Sequence, residues 1–222
     1  MKIYHGSCDI IEKPLYELGK PNNDFGKGFY CTKDIEKAKE WACKDNNNGV
    51  VNIYELNIDK LKILDLTDKK YSVLNWIAIL LQNRTFKIES PISLRAKEYI
   101  IKNYYIDTTK YDLVIGHRAD DSYFSYAQSF IDNSLSVEGL EKAMKLGNHG
   151  KQIVLVSKKA FTNIKYIDNC HVNKIDYYKR YKDNDRIARN NYKNIKSLDN
   201  EVYIMDIIRK GKNKWVHMMS AI

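Results

Sequence analysis

The sequence predicts an α+β fold with a mainly antiparallel sheet. Short strand-like segments stand near both ends of the chain, at 2–5 and 152–157, so residues distant in sequence must close the sheet. Between them, the apolar residues of 72–83, 93–105, 121–131 and 137–146 recur at helical spacing. Strands and helices do not alternate one by one, as a parallel βαβ sheet would require.

Each element has a local reason. Residues 2–5 read as a strand entering the core. Residues 7–25 read as an irregular loop, broken by Pro14, Gly19, Pro21 and Asn22-Asn23. Thr32 or Asp34 can cap a helix over 35–44, which ends in a polar turn at 45–49. Residues 50–57 alternate as a half-buried strand, and 62–66 make a second one. The Leu113-Val114-Ile115 run marks a buried strand at 111–116, and Ser136 and Gly147 frame the helix at 137–146. Strands follow at 152–157 and 163–167, then a polar, basic helix or helix pair at 176–195 and a last apolar segment at 201–207. Two parts are expected: a main domain at 1–168, and a basic, mostly helical extension at 169–222 packed on it.

Composition narrows the function classes. At 222 residues with 44% hydrophobic and 29% charged content, the chain can bury a substantial core and is not a disordered segment. No run approaches the roughly 18 apolar residues of a membrane span; the best, 73–81, is short and holds Asn75. Residues 1–5 carry no leader-like apolar core, so a cytoplasmic protein without membrane contact is expected. The four cysteines form no C-x-x-C pair and have no histidines at ligand spacing, which predicts reduced thiols and no metal. Net charge is +9, and from 158 to 222 fifteen Lys and Arg face seven Asp and Glu, so nearly all of the surplus lies there. Such a tail suits nucleic acid or an acidic protein partner, or is simply a solvated face.

The most informative residues are two short motifs. Ile3-Tyr4-His5-Gly6-Ser7 delivers a histidine and a glycine from a strand, and Asp24-Phe25-Gly26-Lys27-Gly28-Phe29-Tyr30 delivers a tyrosine after a Gly-x-Gly turn. His5 can offer a ring nitrogen to a sugar hydroxyl, Gly6 can offer its bare backbone, and Tyr30 a face for a flat ring. The layout suits an aromatic amide attached to a ribose. Against this stand plain readings: His5 bonded to backbone, Tyr30 and Trp41 packed in the core, Asp120 and Asp121 capping the helix that follows.

These motifs resemble the ADP-ribosyltransferase superfamily, on the branch of diphtheria toxin and the poly(ADP-ribose) polymerases. More closely, the chain is similar to an uncharacterised bacterial family, domain of unknown function 3990, which shares the segment around Tyr30, the run from Arg118 to Phe124 and the strand beginning at Gln152. The resemblance implies a split antiparallel β-sandwich around an NAD cleft, with inserted helices. It implies that His5 bonds the adenosine ribose, that the Gly6 backbone holds the carboxamide, and that Tyr30 and Trp41 clamp the nicotinamide. Ser7, Gly28 and Arg118 join the dinucleotide-binding candidates. Arg118 would pair with the pyrophosphate or orient a carboxylate. Gln152 occupies the position of the catalytic Glu, Asp or Gln, where an amide bonds a hydroxyl but supplies no charge. Asp120 or Asp121 is a candidate for that charge, Tyr123 for an acceptor-site wall, and Cys31 for the site's lining.

The leading expectation is therefore an NAD-dependent mono-ADP-ribosyltransferase, by the resemblance the toxin of a toxin–antitoxin or phage-defence pair, with a protein or nucleic-acid acceptor and an antitoxin protein as partners. The alternatives are an NAD or ADP-ribose binding module, or an NAD glycohydrolase, on the same fold. A nucleic-acid-binding protein acting through its tail is a third class.

Overall fold

The computed structural model describes residues 1–119, 121–146, 150–193 and 201–211. Among them, seven strands form two sheets and eight α-helices surround them, an α+β architecture with no closed barrel. The first sheet has the order β1 (Lys2–Ser7), β3 (Gly49–Leu56), β7 (Ile164–Val172) and is antiparallel throughout. The second has the order β2 (Phe29–Cys31), β6 (Lys151–Leu155), β5 (Leu113–His117), β4 (Ile63–Asp65). Only its β4–β5 pair is parallel.

Alternation along the strands explains the layering. Ile3, Tyr54 and Leu56 of the first sheet meet Phe29, Cys31, Leu113, Ile153 and Leu155 of the second in one buried cluster. The opposite face of the second sheet gives Leu64, Val114 and Val154 to a larger core built with α2 (Val73–Asn83), α3 (Pro91–Tyr104), α4 (Asp121–Ile131) and α5 (Val137–Leu146). The outer face of the first sheet carries Val51 and Val172 against Ala38 of α1 (Ile35–Ala42) and the tyrosines of α7 (Lys174–Lys193). The two sheets join at one edge, where the Tyr4 and Thr32 backbones exchange hydrogen bonds of 2.8 and 2.9 Å.

The expected elements are present with shifted ends. The Asp34 side chain, not that of Thr32, caps α1 by accepting from the Glu36 and Lys37 amides. The last strand runs nine residues, to Val172, because it pairs with β3 along its length. The stretch at 201–207 instead leads into the helix α8 (Ile204–Lys210), and α6 (Lys158–Thr162) is a further short helix capped by Ser157. The Gly147 stop lies outside the described residues.

Candidate functional site

One cleft of about 490 Å³ opens beside the joined edges of the two sheets. It collects His5 and Gly6 from β1, Gly28 and Tyr30 from the β2 segment, Trp41 from α1, Arg118 after β5 and Gln152 from β6. Residues 147 positions apart in sequence thus face one space. Its size lies within the usual range for ligand pockets, about 300–1,000 Å³.

His5 is held at both its ring face and its edge. The ring stacks on Phe29 at 4.3 Å, and Nδ1 lies 2.6 Å from the Tyr30 carbonyl oxygen. A carbonyl only accepts, so Nδ1 carries the proton and Nε2 is left as an acceptor. Burial holds the His5 pKa below its ordinary value, more strongly than the carbonyl bond raises it, and Lys44 lowers it further. The neutral ring is therefore the working form.

Tyr30 stands half-buried on β2 with its hydroxyl spent internally. It donates to the Gly26 carbonyl at 2.7 Å and accepts from the Phe25 amide at 3.0 Å, closing the 25–30 turn on itself. Desolvation pushes its phenol upward in pKa, so it stays protonated and offers the cleft a ring rather than an acid. Gly26 takes φ +75°, where an L side chain is strained, and a Cβ at Gly28 would stand 2.6 Å from Val154 Cγ1. Gly26 is thus required by the turn's backbone conformation and Gly28 by its close approach to β6.

Gln152 is 3% exposed, and its Nε2 donates to the Asp24 carboxylate at 2.7 Å. Among the described residues its Oε1 accepts no hydrogen bond. Asp24 is itself buried at 5% exposure, within the same cleft. Its Oδ2 also accepts from the Ala119 amide at 2.8 Å, and its Oδ1 pairs with Arg84 at 2.6 Å. Burial raises the carboxyl's pKa above its ordinary value, more strongly than Ala119, Gln152, Arg84 and Arg118 pull it down.

The decisive comparison is with a family model described as a protein of unknown function, DUF3990, which matches residues 1–166. The chain belongs to the DUF3990 family. The matched span holds every cleft residue named above. No curated protein and no solved structure matches the chain.

In this DUF3990 protein several candidates take other places. Ser7 does not line the cleft: its hydroxyl donates to the Asp9 carbonyl and accepts from Asn52. The Trp41 ring carries the Arg118 guanidinium at 4.6 Å, so the position expected for a flat ligand on that face is taken by a cation. Cys31 is fully buried between the sheets, because neighbours along a strand point to opposite faces and Tyr30 points to the cleft. Burial drives its thiol well upward, leaving it inert. Tyr123 is 1% exposed with its hydroxyl bonded to the Met144 carbonyl, a core residue and not an acceptor-site wall. Asp120 lies outside the described residues, and Asp121 opens α4 with its side chain undescribed.

Sequence reasoning missed Asp24 and Arg84. Asp24 had a signal, since it heads the very segment that carries Tyr30. Arg84 had none; it follows α2 and meets the cleft only through packing. Among the described residues no group of three or more His, Cys, Asp or Glu could hold a metal, and no helix is long and apolar enough to cross a membrane.

Proposed function

We propose that this DUF3990 protein is an NAD-dependent mono-ADP-ribosyltransferase. The observation that carries the reading is the convergence of His5, Gly6, Tyr30, Trp41 and Gln152 on one cleft from four separate elements. Two antiparallel-rich sheets packed over a shared core, with the cleft at their joint, suit the split β-sandwich expected of that superfamily.

The roles follow from the chemistry of each group. His5 Nε2 accepts from a ribose hydroxyl, the Gly6 backbone pairs with the carboxamide, and Tyr30 supplies a face for the nicotinamide ring. Arg84 and Arg118 attract the pyrophosphate. Gln152 Oε1, with no partner of its own, accepts from the 2′-hydroxyl. Nicotinamide then departs with the electron pair of its bond to C1′, and the acceptor's nucleophilic atom bonds C1′ and gives up its proton. A protein or nucleic-acid acceptor, and a role as the toxin of a toxin–antitoxin or phage-defence pair, belong to the same proposal. So does a cytoplasmic setting.

The uncharged Gln152 favours a second reading, an NAD-binding module or glycohydrolase. The experiment that separates them gives purified protein radiolabelled NAD in bacterial lysate, then follows label in protein and nucleic-acid fractions beside free nicotinamide. Transfer puts label in one fraction. Nicotinamide without label means hydrolysis, and neither, with NAD still raising the melting temperature, means a binder. Trp41→Ala removes the ring that holds the Arg118 guanidinium over the cleft and should weaken NAD by about tenfold in KM, the scale of a partly desolvated cation–π contact.

A further inference from the structure

Asp24 is a buried carboxylate that the roles above leave unused. It sits in the turn at 23–26, which closes through the Gly26 amide and the Asn23 carbonyl at 3.0 Å. The turn is seated by Phe25, whose ring fills the space left by Gly116: a Cβ there would stand 2.7 Å from Phe25 Cζ. Gly116 is the register partner of Gln152 across β5 and β6. The missing side chain on one strand therefore brings the carboxylate to the amide on the next.

We propose that Asp24 and Gln152 act as one unit, in which Asp24 is the positioning residue that orients the amide and supplies the negative charge the amide lacks. The inference rests on the transferase reading. A carboxylate only accepts, so the amide must present Nε2 to Asp24 and turn Oε1 away, toward a ribose hydroxyl. The 2.7 Å bond polarises the amide, and Asp24 keeps negative charge one hydrogen bond behind it. That charge favours a C1′ that becomes positive as the electron pair leaves with nicotinamide. Arg84 offsets part of it in the free protein, but Arg84 lines the same cleft, and an arriving pyrophosphate competes for its guanidinium.

The test uses the full chain and reads nicotinamide release, NAD affinity by calorimetry and the thermal melt together. Asp24→Asn should lower kcat about a hundredfold, the usual scale for one preorganised electrostatic contact, and leave the NAD Kd within about threefold. Adding Gln152→Glu to Asp24→Asn moves the charge onto β6 and should recover at least about tenfold of the lost kcat. Gln152→Glu alone sets two carboxyls against each other, so one holds a proton and the rate should change with pH as the pair's second ionisation adds charge beside C1′. This single variant keeps the test decisive even if Asp24→Asn does not fold. A folded Asp24→Asn at the wild-type rate overturns the inference. So does a lost rate without recovery in the double variant, which would make Asp24 only a tether for Arg84 and Ala119. A Gln152→Glu rate as flat in pH as the wild type overturns it too. If the wild type releases no nicotinamide at all, the transferase reading falls first and this inference with it.

Discussion

A Cβ on Gly6 would stand 2.1 Å from the Ala38 carbonyl oxygen and 2.7 Å from the Ala42 amide nitrogen. The glycine beside His5 is therefore demanded by the packing of α1 on β1, whatever its backbone offers a ligand. Gly6→Ala should destabilise by about 3 kcal/mol, the upper end of overpacking costs; the midpoint of a denaturant melt measures it. His5 and His117 give a prediction in pH. Burial lowers both from an ordinary value of 6.5, and Lys151 lowers His117 further. The unfolded chain then binds protons that the native chain does not, so their contribution is whole above 6.5 and drains as pH falls toward the native values. The melting temperature should drop between about pH 7 and pH 5, and a His5→Gln, His117→Gln protein should drop less. Equal slopes for the two proteins would remove both rings from the account.

At the scale of elements, α1 supplies part of the cleft's wall. It carries Trp41, is capped by Asp34, and hides an ion pair between Lys37 and Glu40, 3% exposed each, at 3.0 Å. Glu40 also takes Arg180 at 3.1 Å and Asn184 at 3.1 Å from α7, and Glu36 takes Arg180 at 2.9 Å. Glu40→Ala strands Lys37 inside and should cost about 3–5 kcal/mol. Replacing Lys37 and Glu40 together by Met and Leu should recover most of it, as urea melts would show. Lys37 and Glu40 stand at the i, i+3 spacing that solvent-facing pairs also use. Nothing local reveals that a helix some 140 residues later covers it. The same contacts bear on the basic tail: Arg180 pairs with Glu36 and Glu40 outside it, so part of the positive surplus is already spent, whereas Arg186 and Arg189 pair with Asp183 and Asp185 of the tail itself.

Across the whole molecule, α1 covers the outer face of the first sheet and α2 to α5 cover that of the second, while α7 packs on α1 and also reaches α4 and α5. A chain ending after residue 173 loses the α7 cover of Glu36 and Glu40, and it should melt at lower temperature with weakened NAD binding. Calorimetry on the truncated and full chains checks both. Period and turn chemistry were enough to place most strands and helices; short motifs pointed to His5, Gly6 and Tyr30, and the resemblance to Trp41 and Gln152, all of which line one cleft, because such signals are local. Sequence alone could not say which groups meet. The Asp24–Gln152 bond, the Arg118 cation on Trp41, the burial of Cys31 and Tyr123, and the turning of Ser7 toward Asn52 each depend on sheet register and layer packing. A carboxylate and an amide 128 positions apart become partners only when β5 and β6 align Gly116 with Gln152 and leave Phe25 room to seat the turn between them.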